Sequence, residues 1–328
     1  MKHSFRNAVA VVAALSCFFT VSARSSQLQL VRTITLPGVN GRIDHMDIDL
    51  ARQHLFVSAL GNDTVEVVDL ASGKRIQTLS GFHESQGVGY DKHSDRLVVA
   101  NGGSGVCNFI DASSFHSLTQ KYLGDDADDV RMDHKTGRAV IGFGEGAIAI
   151  IDMESLKTVS SWKFRGHPEA FASETKGHHI YVNVPSENKI DVIDTRAGVT
   201  SWPLTGARDN FPMALDEADH RLFIGCRSPA RLLVYNTTAG TLAASLPIAD
   251  DTDDVYYNPK TKLIYVSCGA GEVNVIRKLG NDSYKTIESV PTASGARTSL
   301  LIPEMKLLCV AAPRRQNHDA EILVFSIQ

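Results

Sequence analysis

Short apolar runs alternate with polar turns along most of the chain, and the pattern repeats. One unit runs from His45 to Leu79 and the next from Gly87 to Leu123. The polar turn after the first apolar run of each unit recurs at spacings of 40 to 45 residues. These turns begin at Asp49, Asp91, Asp133, Ser173, Asp216, Asn258 and Pro303. Self-similarity at such a period is typical of repeat architectures.

Each unit predicts four short β-strands. β-branched residues are frequent in the runs, as in Leu97-Val98-Val99, and this composition favours strands over helices. Glycine-bearing hairpins such as Gly144-Glu145-Gly146 supply the positive φ angles that tight turns need. In several units the third run ends in aspartate. These residues are Asp69, Asp111, Asp152 and Asp194. Four strands in about 42 residues correspond to one propeller blade, so the sequence predicts an all-β, seven-bladed β-propeller with four antiparallel strands per blade.

The two ends of the chain predict how the ring closes. The last unit supplies only three strands, at Thr298–Ile302, Leu307–Ala311 and Glu321–Ile327. An apolar segment, Leu28–Leu36, precedes the first complete unit. Pairing this N-terminal strand with the last blade removes the open edge that a ring would otherwise expose. We therefore expect residues 24–328 to form a single closed domain.

Several repeats carry a family resemblance. Leu55–Ser58 leads through Gly61–Asp69 to Ser72-Gly73-Lys74, and His179–Asn183 and Leu263–Ser267 repeat the pattern more weakly. At these residues the chain resembles the YVTN-repeat (YncE-like) β-propellers, exported bacterial proteins with WD40-like repeats. The resemblance covers essentially the whole mature chain and implies a closed, exported propeller. Propellers of this broad kind include binding proteins, DNA binders, lactone hydrolases and subunits of redox enzymes, so the resemblance implies no single activity.

The first 23 residues have the three parts of a secretory signal peptide. Lys2 and Arg6 give a basic head, Ala8–Val21 is apolar, and small residues up to Ala23 fit a cleavage site. The apolar run is shorter than the ~20 residues that span a bilayer. We expect residues 1–23 to be removed, which leaves a periplasmic or secreted protein without a membrane span. We also expect this mature protein to be a monomer.

Export changes how the cysteines are interpreted. Cys17 lies in the predicted signal peptide, whereas Cys107, Cys226, Cys268 and Cys309 remain in the mature chain. Their spacing matches no CxxC motif and no Cys/His zinc site. An oxidising compartment permits a Cys226–Cys268 disulfide, since both residues end equivalent strands of neighbouring units. Buried free thiols are favoured, because adjacent blades seldom bring such positions within ~7 Å.

Charge disfavours nucleic acid as a partner. The chain has 33 Lys+Arg and 37 Asp+Glu, which gives a formal net charge of −4 at pH 7. Proteins that bind nucleic acid usually present a basic surface. With 43% hydrophobic and 21% charged residues, the composition is that of an ordinary globular protein. DNA binding is therefore the weakest of the functions considered.

The candidate chemistry lies on the face where the inner strand of each blade begins, which we call the upper face. Two DDxDDV elements, Asp125–Val130 and Asp250–Val255, lie there three repeats apart and so almost across the ring from each other. One interpretation is a divalent cation site, for an ion such as calcium, with Asp129, Glu169 and Asp254 as oxygen ligands. The other is that these aspartates cap turns by accepting backbone N–H groups. Both interpretations stay open at this stage.

Basic side chains share the upper face with these carboxylates. The predicted ligand-binding residues are Arg42, His45, Asp129, His167, Glu169, Arg227, Asp254 and Arg297. Guanidinium groups recognise carboxylates and phosphates through paired hydrogen bonds, so the arginines predict a small anionic ligand. Alternatively they pair with the acidic loops beside them. His45 would also extend the cation site to a transition metal.

The sequence favours a binding protein over an enzyme. It contains no HExxH motif, no P-loop and no GxSxG elbow, and we assign no catalytic residue. The leading hypothesis is an exported binding or scaffold propeller that recognises a small anionic ligand or a protein partner on its upper face. The alternative is a metal-assisted hydrolase of the lactone type, with the cation at the three carboxylates and His45 or His167 as the base. Apart from that divalent cation, no cofactor is indicated.

Overall fold

The structure is a computed structural model that describes Met1 and residues 26–280 and 282–328. In this part of the chain, seven antiparallel sheets of four strands form a ring, which confirms the predicted seven-bladed β-propeller. The described residues contain no α-helix and only two 3-10 turns, Leu60–Asn62 and Pro185–Glu187. None of their helices has the length and apolar character to span a membrane. Apart from Met1, the predicted signal peptide, including Cys17, falls outside the described residues.

Every blade consists of strands that pair in chain order, except the last, which also includes the N-terminal strand. The strands are β1 (Leu28–Leu36); β2 to β5 of blade 1 (Met46–Asp49, His54–Ala59, Thr64–Asp69, Lys74–Ser80); β6 to β9 of blade 2 (Ser85–Asp91, Arg96–Asn101, Val106–Asp111, Ser117–Tyr122); β10 to β13 of blade 3 (Val130–Asp133, Arg138–Phe143, Ala147–Asp152, Lys157–Lys163); β14 to β17 of blade 4 (Phe171–Ser173, His179–Val184, Lys189–Asp194, Gly198–Pro203); β18 to β21 of blade 5 (Arg208–Asp216, Arg221–Ser228, Ala230–Asn236, Thr241–Pro247); β22 to β25 of blade 6 (Thr252–Asn258, Leu263–Cys268, Glu272–Lys278, Tyr284–Pro291); and β26 to β28 of blade 7 (Thr298–Ile302, Leu307–Ala312, Ala320–Ile327).

The N-terminal strand closes the ring as predicted. β1 pairs antiparallel with β28, from Leu28 opposite Ile327 to Leu36 opposite Ala320, and completes the sheet of blade 7. Ile34 and Leu36 are almost fully buried in the core between blades 7 and 1. The joint therefore combines backbone hydrogen bonds with apolar burial, and both stabilise the closed ring.

The hydrophobic core lies between the blades. Seven clusters of buried apolar side chains occur in the described residues, one between each pair of neighbouring blades. Apolar and polar residues alternate along the strands. Both faces of each sheet are nevertheless buried, because each blade packs against two neighbours. Aromatic side chains contribute to these cores; between blades 4 and 5, for example, Tyr181 packs against Trp202 at a ring distance of 5.6 Å.

The turns of the lower face, opposite the upper face, explain the aspartate that ends the third strand of several blades. Each of these carboxylates accepts hydrogen bonds from backbone N–H groups two or three residues later, as Asp194 does from Arg196 at 2.8 Å. The same arrangement occurs at Asp69, Asp111 and Asp152. Side-chain acceptors of this kind fix a tight turn. The repeated aspartate is therefore a turn-forming residue of the scaffold.

Three inner strands reach further onto the upper face than the sequence pattern predicts. β6, β18 and β22 start before the apolar run of their units, and pairing with the next strand shifts within each of them. In β22 the shift lies between Thr252 and Asp254, so that Asp253 has no partner in the ladder. Bulges change the direction in which side chains point. Here the bulge lets Asp253 and Asp254 both act on His45.

The four cysteines of the described chain are free and buried. They are Cys107, Cys226, Cys268 and Cys309. Burial raises the pKa of each thiol to about 12. The structure thus has no Cys226–Cys268 bridge, and the thiols pack as small apolar side chains.

Candidate functional site

The inner strands bring three predicted residues together at the centre of the ring. The imidazole of His45 lies between two carboxylates, with Nε2 3.8 Å from Asp129 Oδ1 and Nδ1 3.9 Å from Asp254 Oδ1. The side chains are buried, with exposures of 12% for His45, 0% for Asp129 and 2% for Asp254. The two aspartates belong to the two DDxDDV elements. His45, which precedes blade 1, therefore bridges across the channel.

Arg131 completes this arrangement, which we call the central ion cluster: Asp44, His45, Asp129, Arg131 and Asp254. Its Nε donates to Asp129 Oδ2 at 3.0 Å, and its Nη2 lies 3.8 Å from Asp254 Oδ1. Arg131 is not among the residues predicted from the sequence. Residues two apart in a strand share a face, so its position two residues after Asp129 was the available signal.

The charged side chains of the central ion cluster shift one another's pKa values. Burial alone would lower the pKa of His45, but the carboxylates of Asp129, Asp44 and Asp254 raise it to about 9. Burial raises the pKa of Asp254 to about 6, against the opposite effects of His45 and Arg131. His45 is therefore an imidazolium at neutral pH. A general base needs a free lone pair at its operating pH, so His45 does not fit the role of base.

Above the central ion cluster, a second layer encloses a cavity of about 20 Å³. The cavity is lined by Arg42, Asp44, His45, Asp128, Glu169, Ala170, Phe211 and Asp253. Burial, reinforced by Asp128, raises the pKa of Glu169 to about 7. Burial also raises the pKa of Asp253 to about 7. The cavity has room for roughly one water molecule, so these carboxyl groups are crowded around a small space. We call this layer the upper mouth.

His167 lies at the edge of the upper mouth. Its Nδ1 is 2.8 Å from the backbone oxygen of Gly144, and its Nε2 is 3.6 Å from Asp128 Oδ2. Burial would lower its pKa, but the hydrogen bond with Asp128 and the other contacts raise it to about 9. The pKa of Asp128 is raised by burial. His167 is thus a second imidazolium, placed to offset part of the negative charge of the mouth.

The predicted arginines pair with aspartates of the acidic loops, which was the alternative to binding an anionic ligand. Arg42 donates to Asp44 at 2.6 Å, and Arg297 lies 2.9 Å from Asp251. Arg227 donates to Asp253 at 2.6 Å and to the backbone oxygen of Thr252 at 2.9 Å, and its guanidinium stacks on Phe211 at 3.5 Å. These three guanidinium groups are already engaged within the protein. An incoming anion would have to compete with these aspartates for the guanidinium groups.

Glu169 differs from its neighbours because its carboxyl group makes no hydrogen bond or direct ion pair with any residue that the structure describes. Nearby, Asp129 Oδ1 is fully buried and also lacks a hydrogen-bond partner among the described residues. Buried carboxylate oxygens without donors are energetically unfavourable. Asp129 Oδ1 is such an oxygen, whereas the half-buried carboxyl group of Glu169 has no protein donor in the described chain but is partly open to solvent.

The predicted cation ligands are not assembled as a metal site. Asp129 and Asp254 flank His45 and Arg131, whereas Glu169 lines the cavity above them. Within residues 26–280 and 282–328, no group of three or more His, Cys, Asp or Glu side chains is arranged to hold a metal ion. The calcium ion was expected to bind Asp129, Asp254 and Glu169. The space between Asp129 and Asp254 is instead occupied by the cationic side chains of His45 and Arg131.

An open groove lies on the upper face of blade 5, between the connection from blade 4 and the connection to blade 6. Its volume is about 610 Å³, and its lining is mainly polar. It is lined by Leu204, Gly206, Ala207, Arg208, Arg227, Ser228, Pro229, Ala230 and Asp250. Arg208, which is exposed at the start of β18, is not among the residues predicted from the sequence.

Comparisons with known proteins identify the fold and no closer relationship. No protein-family model and no curated protein sequence matches the chain. A chain from the crystal structure of a mitotic checkpoint complex aligns with a TM-score of 0.77 and 14% identity, over 98% of this chain and 99% of that one. Hydrazine synthase from Kuenenia stuttgartiensis aligns with a TM-score of 0.72 and 16% identity, over 89% and 98%. U3-55K aligns with a TM-score of 0.75 and 9% identity, over 92% and 99%.

These similarities define a class of protein by architecture alone. The chain is a seven-bladed β-propeller of WD40-like fold. Identities of this size accompany a shared fold without a shared site, and one propeller fold carries many unrelated functions. The fold is compatible with a binding or scaffold role.

Proposed function

We propose that this protein is a non-catalytic binding propeller that recognises a basic segment of a protein partner at its upper mouth. We further propose that it belongs with the YVTN-repeat propellers and acts after export, in the periplasm or outside the cell, as its N-terminal and repeat patterns suggest. The partner supplies a lysine or arginine side chain to the carboxyl groups around Glu169. The groove on the upper face of blade 5 then receives the adjoining residues.

The observation that supports this proposal is the excess of carboxyl groups around one small cavity. Asp128, Glu169 and Asp253 surround it, and each has a raised pKa. Burial and repulsion between like charges both disfavour their ionised forms. A cation brought to this position would relieve the repulsion and supply the missing donors. The carboxyl groups would then ionise fully, and the free energy released would contribute to binding.

A protein segment fits this surface better than a small ligand does. Pockets for small molecules enclose most of the ligand within mainly apolar walls. Here the cavity of about 20 Å³ is too small for an organic ligand, and the groove of about 610 Å³ is open and polar. The outer ends of a lysine or arginine side chain can approach the cavity, while an extended backbone lies along the groove. Complementary charge then directs the partner to one register.

The other sequence-based hypotheses receive less support from this geometry. An anionic ligand would have to displace aspartates from Arg42, Arg227 and Arg297, and phosphate of DNA would meet an acidic surface. A lactone hydrolase would need space for its substrate beside the catalytic carboxylates. That space is limited to roughly one water molecule.

The proposal is tested by binding of a rhodamine-labelled hexalysine peptide, followed by fluorescence anisotropy. We expect saturable binding that weakens with salt, because surface charge interactions are screened. Glu169→Gln removes a carboxylate from the mouth without changing its size, and Glu154→Gln removes an exposed carboxylate from a lower-face turn. We expect the first variant to bind about five- to tenfold more weakly and the second to bind as the parent does. Equal affinity of both variants, or tighter binding of hexaglutamate than hexalysine, would contradict the proposal.

A further inference from the structure

Three of the four carboxyl groups that line the cavity of the upper mouth already have a cation of the protein beside them. The pairs are Arg42 with Asp44 at 2.6 Å, Arg227 with Asp253 at 2.6 Å, and His167 with Asp128 at 3.6 Å. Glu169 is the fourth carboxyl group, and no cation of the described chain forms a direct ion pair with it. The cavity therefore has one carboxyl group without a cation of its own.

His45 does not compensate Glu169, although it also lines the cavity. In the central ion cluster, His45 and Arg131 lie against two carboxylates, which belong to the two DDxDDV elements. These two cations and two carboxylates balance one another. Glu169 thus adds one negative charge when it ionises, and its surroundings disfavour that ionisation. A single monovalent cation in the cavity would neutralise it.

The same carboxyl groups leave acceptor atoms unused. Asp44 is the clearest case, because its side chain is only 3% exposed and its Oδ1 lies 3.8 Å from His45 Nε2, beyond hydrogen-bond distance. A buried oxygen of this kind requires a donor. The oxygens that accept no hydrogen bond from any described residue are Asp44 Oδ1, Asp128 Oδ1, Asp253 Oδ2 and both carboxyl oxygens of Glu169.

The size of the cavity distinguishes between the cations that a protein partner can offer. A volume of about 20 Å³ holds roughly one water molecule. The ammonium group of lysine is a compact point charge with three N–H donors, whereas the guanidinium group of arginine is a rigid planar fork with five. Apolar walls from Ala170 and Phe211 limit the space. An ammonium group fits this cavity, and a guanidinium group does not.

Methylated lysine is disfavoured for a second reason. A trimethylammonium group has no N–H donor, and proteins bind it within several aromatic faces. Phe211 is the only aromatic side chain among the residues that line the cavity, and the guanidinium of Arg227 already stacks on it at 3.5 Å. The cavity therefore offers oxygen acceptors for N–H donors and no aromatic cage.

We propose that the upper mouth receives a single primary ammonium group, the side chain of a lysine in the partner, and excludes arginine and trimethyllysine. The ammonium group donates to Glu169 and to the unused oxygens beside it. This inference rests on the proposed function and narrows the partner from a basic segment to one that presents an unmodified lysine. Acetylation of that lysine removes its charge and would release the partner.

Three rhodamine-labelled peptides of equal charge test the proposal: hexalysine, hexaarginine and a hexamer of Nε-trimethyllysine. Because their charges are equal, differences in affinity report on the cationic group itself. We expect hexalysine to bind at least about tenfold more tightly than either of the others. If another peptide bound as tightly as hexalysine and Glu169→Gln weakened both, this inference would be overturned and the proposed function would stand. Absence of saturable binding by any peptide, or binding that Glu169→Gln leaves unchanged, would overturn both.

Two phenylalanine variants test whether the cavity sets this selectivity. Phe211→Leu shortens a wall of the cavity, whereas Phe164→Leu makes the same change at a half-buried phenylalanine that does not line it. We expect Phe211→Leu to bring the affinity for hexaarginine within about threefold of that for hexalysine, and Phe164→Leu to keep the ratio of the parent. The ratio is the readout because a general loss of stability lowers both affinities together. An unchanged ratio in Phe211→Leu would overturn the argument from size.

Discussion

Aspartates at the two faces of the ring differ in what surrounds them. On the lower face, the carboxylates that end the third strands accept backbone and hydroxyl hydrogen bonds within their own turns, and these bonds lower the pKa of Asp69, Asp111 and Asp152. On the upper face, burial raises the pKa of Asp253 and Glu169 to about 7. Turn capping therefore explains the acidic residues of one face only.

The difference follows from the supply of donors. A lower-face turn provides free backbone N–H groups beside each carboxylate, and solvent reaches the other oxygen. At the upper mouth, carboxyl groups from four blades converge on one cavity, and their donors are a few arginine and histidine side chains. Acidic residues thus stabilise turns on the lower face, whereas on the upper face they form a group of carboxyl groups with few hydrogen-bond donors nearby.

The largest effect is expected from removing a cation of the central ion cluster. Arg131→Met leaves Asp129 and Asp254 buried beside a single cation, and breaking such a pair costs about 3–5 kcal/mol of the free energy of unfolding. Arg196→Met removes an exposed cation whose Nε lies 3.9 Å from Asp194 Oδ1 at a lower-face turn. There the expected loss is at most about 1 kcal/mol, because water screens the pair. Urea unfolding measures both variants, and equal losses would erase the contrast between the faces.

A smaller effect is expected from a single lower-face turn. Asp91 is buried and accepts hydrogen bonds from Ser94 N at 2.8 Å and Ser94 Oγ at 2.6 Å. Asp91→Ala removes these acceptors and should cost about 1–2 kcal/mol. Asp91→Asn keeps an acceptor of the same shape and should recover most of the loss. If Asp91→Asn were as unstable as Asp91→Ala in urea unfolding, charge and not hydrogen bonding would determine the turn.

The raised pKa values of the upper face also make the free energy of unfolding depend on pH. Glu169 and Asp253 have a pKa of about 7 in the folded protein, above that of the unfolded chain. Between about pH 4 and 7 the folded state therefore holds protons that the unfolded state has released. The free energy of unfolding falls as pH rises through this range. His45 and His167, with a pKa of about 9, add stability that is complete below about pH 6.5 and is lost as pH rises through 9.

Glu169→Gln tests this pH dependence with the smallest change. Glutamine resembles the protonated acid, so the variant should lose part of the decrease in stability between pH 5 and 7. At pH 8 its Tm should exceed that of the parent by about 2–4 °C, the shift that accompanies roughly 1 kcal/mol in a protein of this size class. Glu154→Gln on the lower face is the matched control and should leave the pH profile unchanged. Parallel profiles for all three proteins would mean that Glu169 is not perturbed.

The fold was predictable because it repeats. The turns at Asp49, Asp91 and their equivalents indicated seven blades, and the incomplete last unit indicated that Leu28–Leu36 closes the ring. Both inferences need only strand length, turn chemistry and the avoidance of an open edge. The structure confirms both.

The candidate site was only partly predictable, since it depends on distances across the channel. The sequence indicated that His45, Asp129 and Asp254 face the centre, but spacing alone could not show that Arg131 and His45 lie between the two aspartates. The bulges within β18 and β22 have no clear sequence signal.

The most direct test of the upper mouth is the pKa of Glu169 itself. A titration of the protein labelled with 13C at glutamate carboxyl groups, with Glu169→Gln to assign the signal, measures it in the presence and absence of hexalysine. We expect a pKa near 7 for the free protein and a clear decrease when the peptide is bound, because a cation stabilises the carboxylate. A pKa near 4.5 in the free protein, or one that hexalysine leaves unchanged, would contradict it.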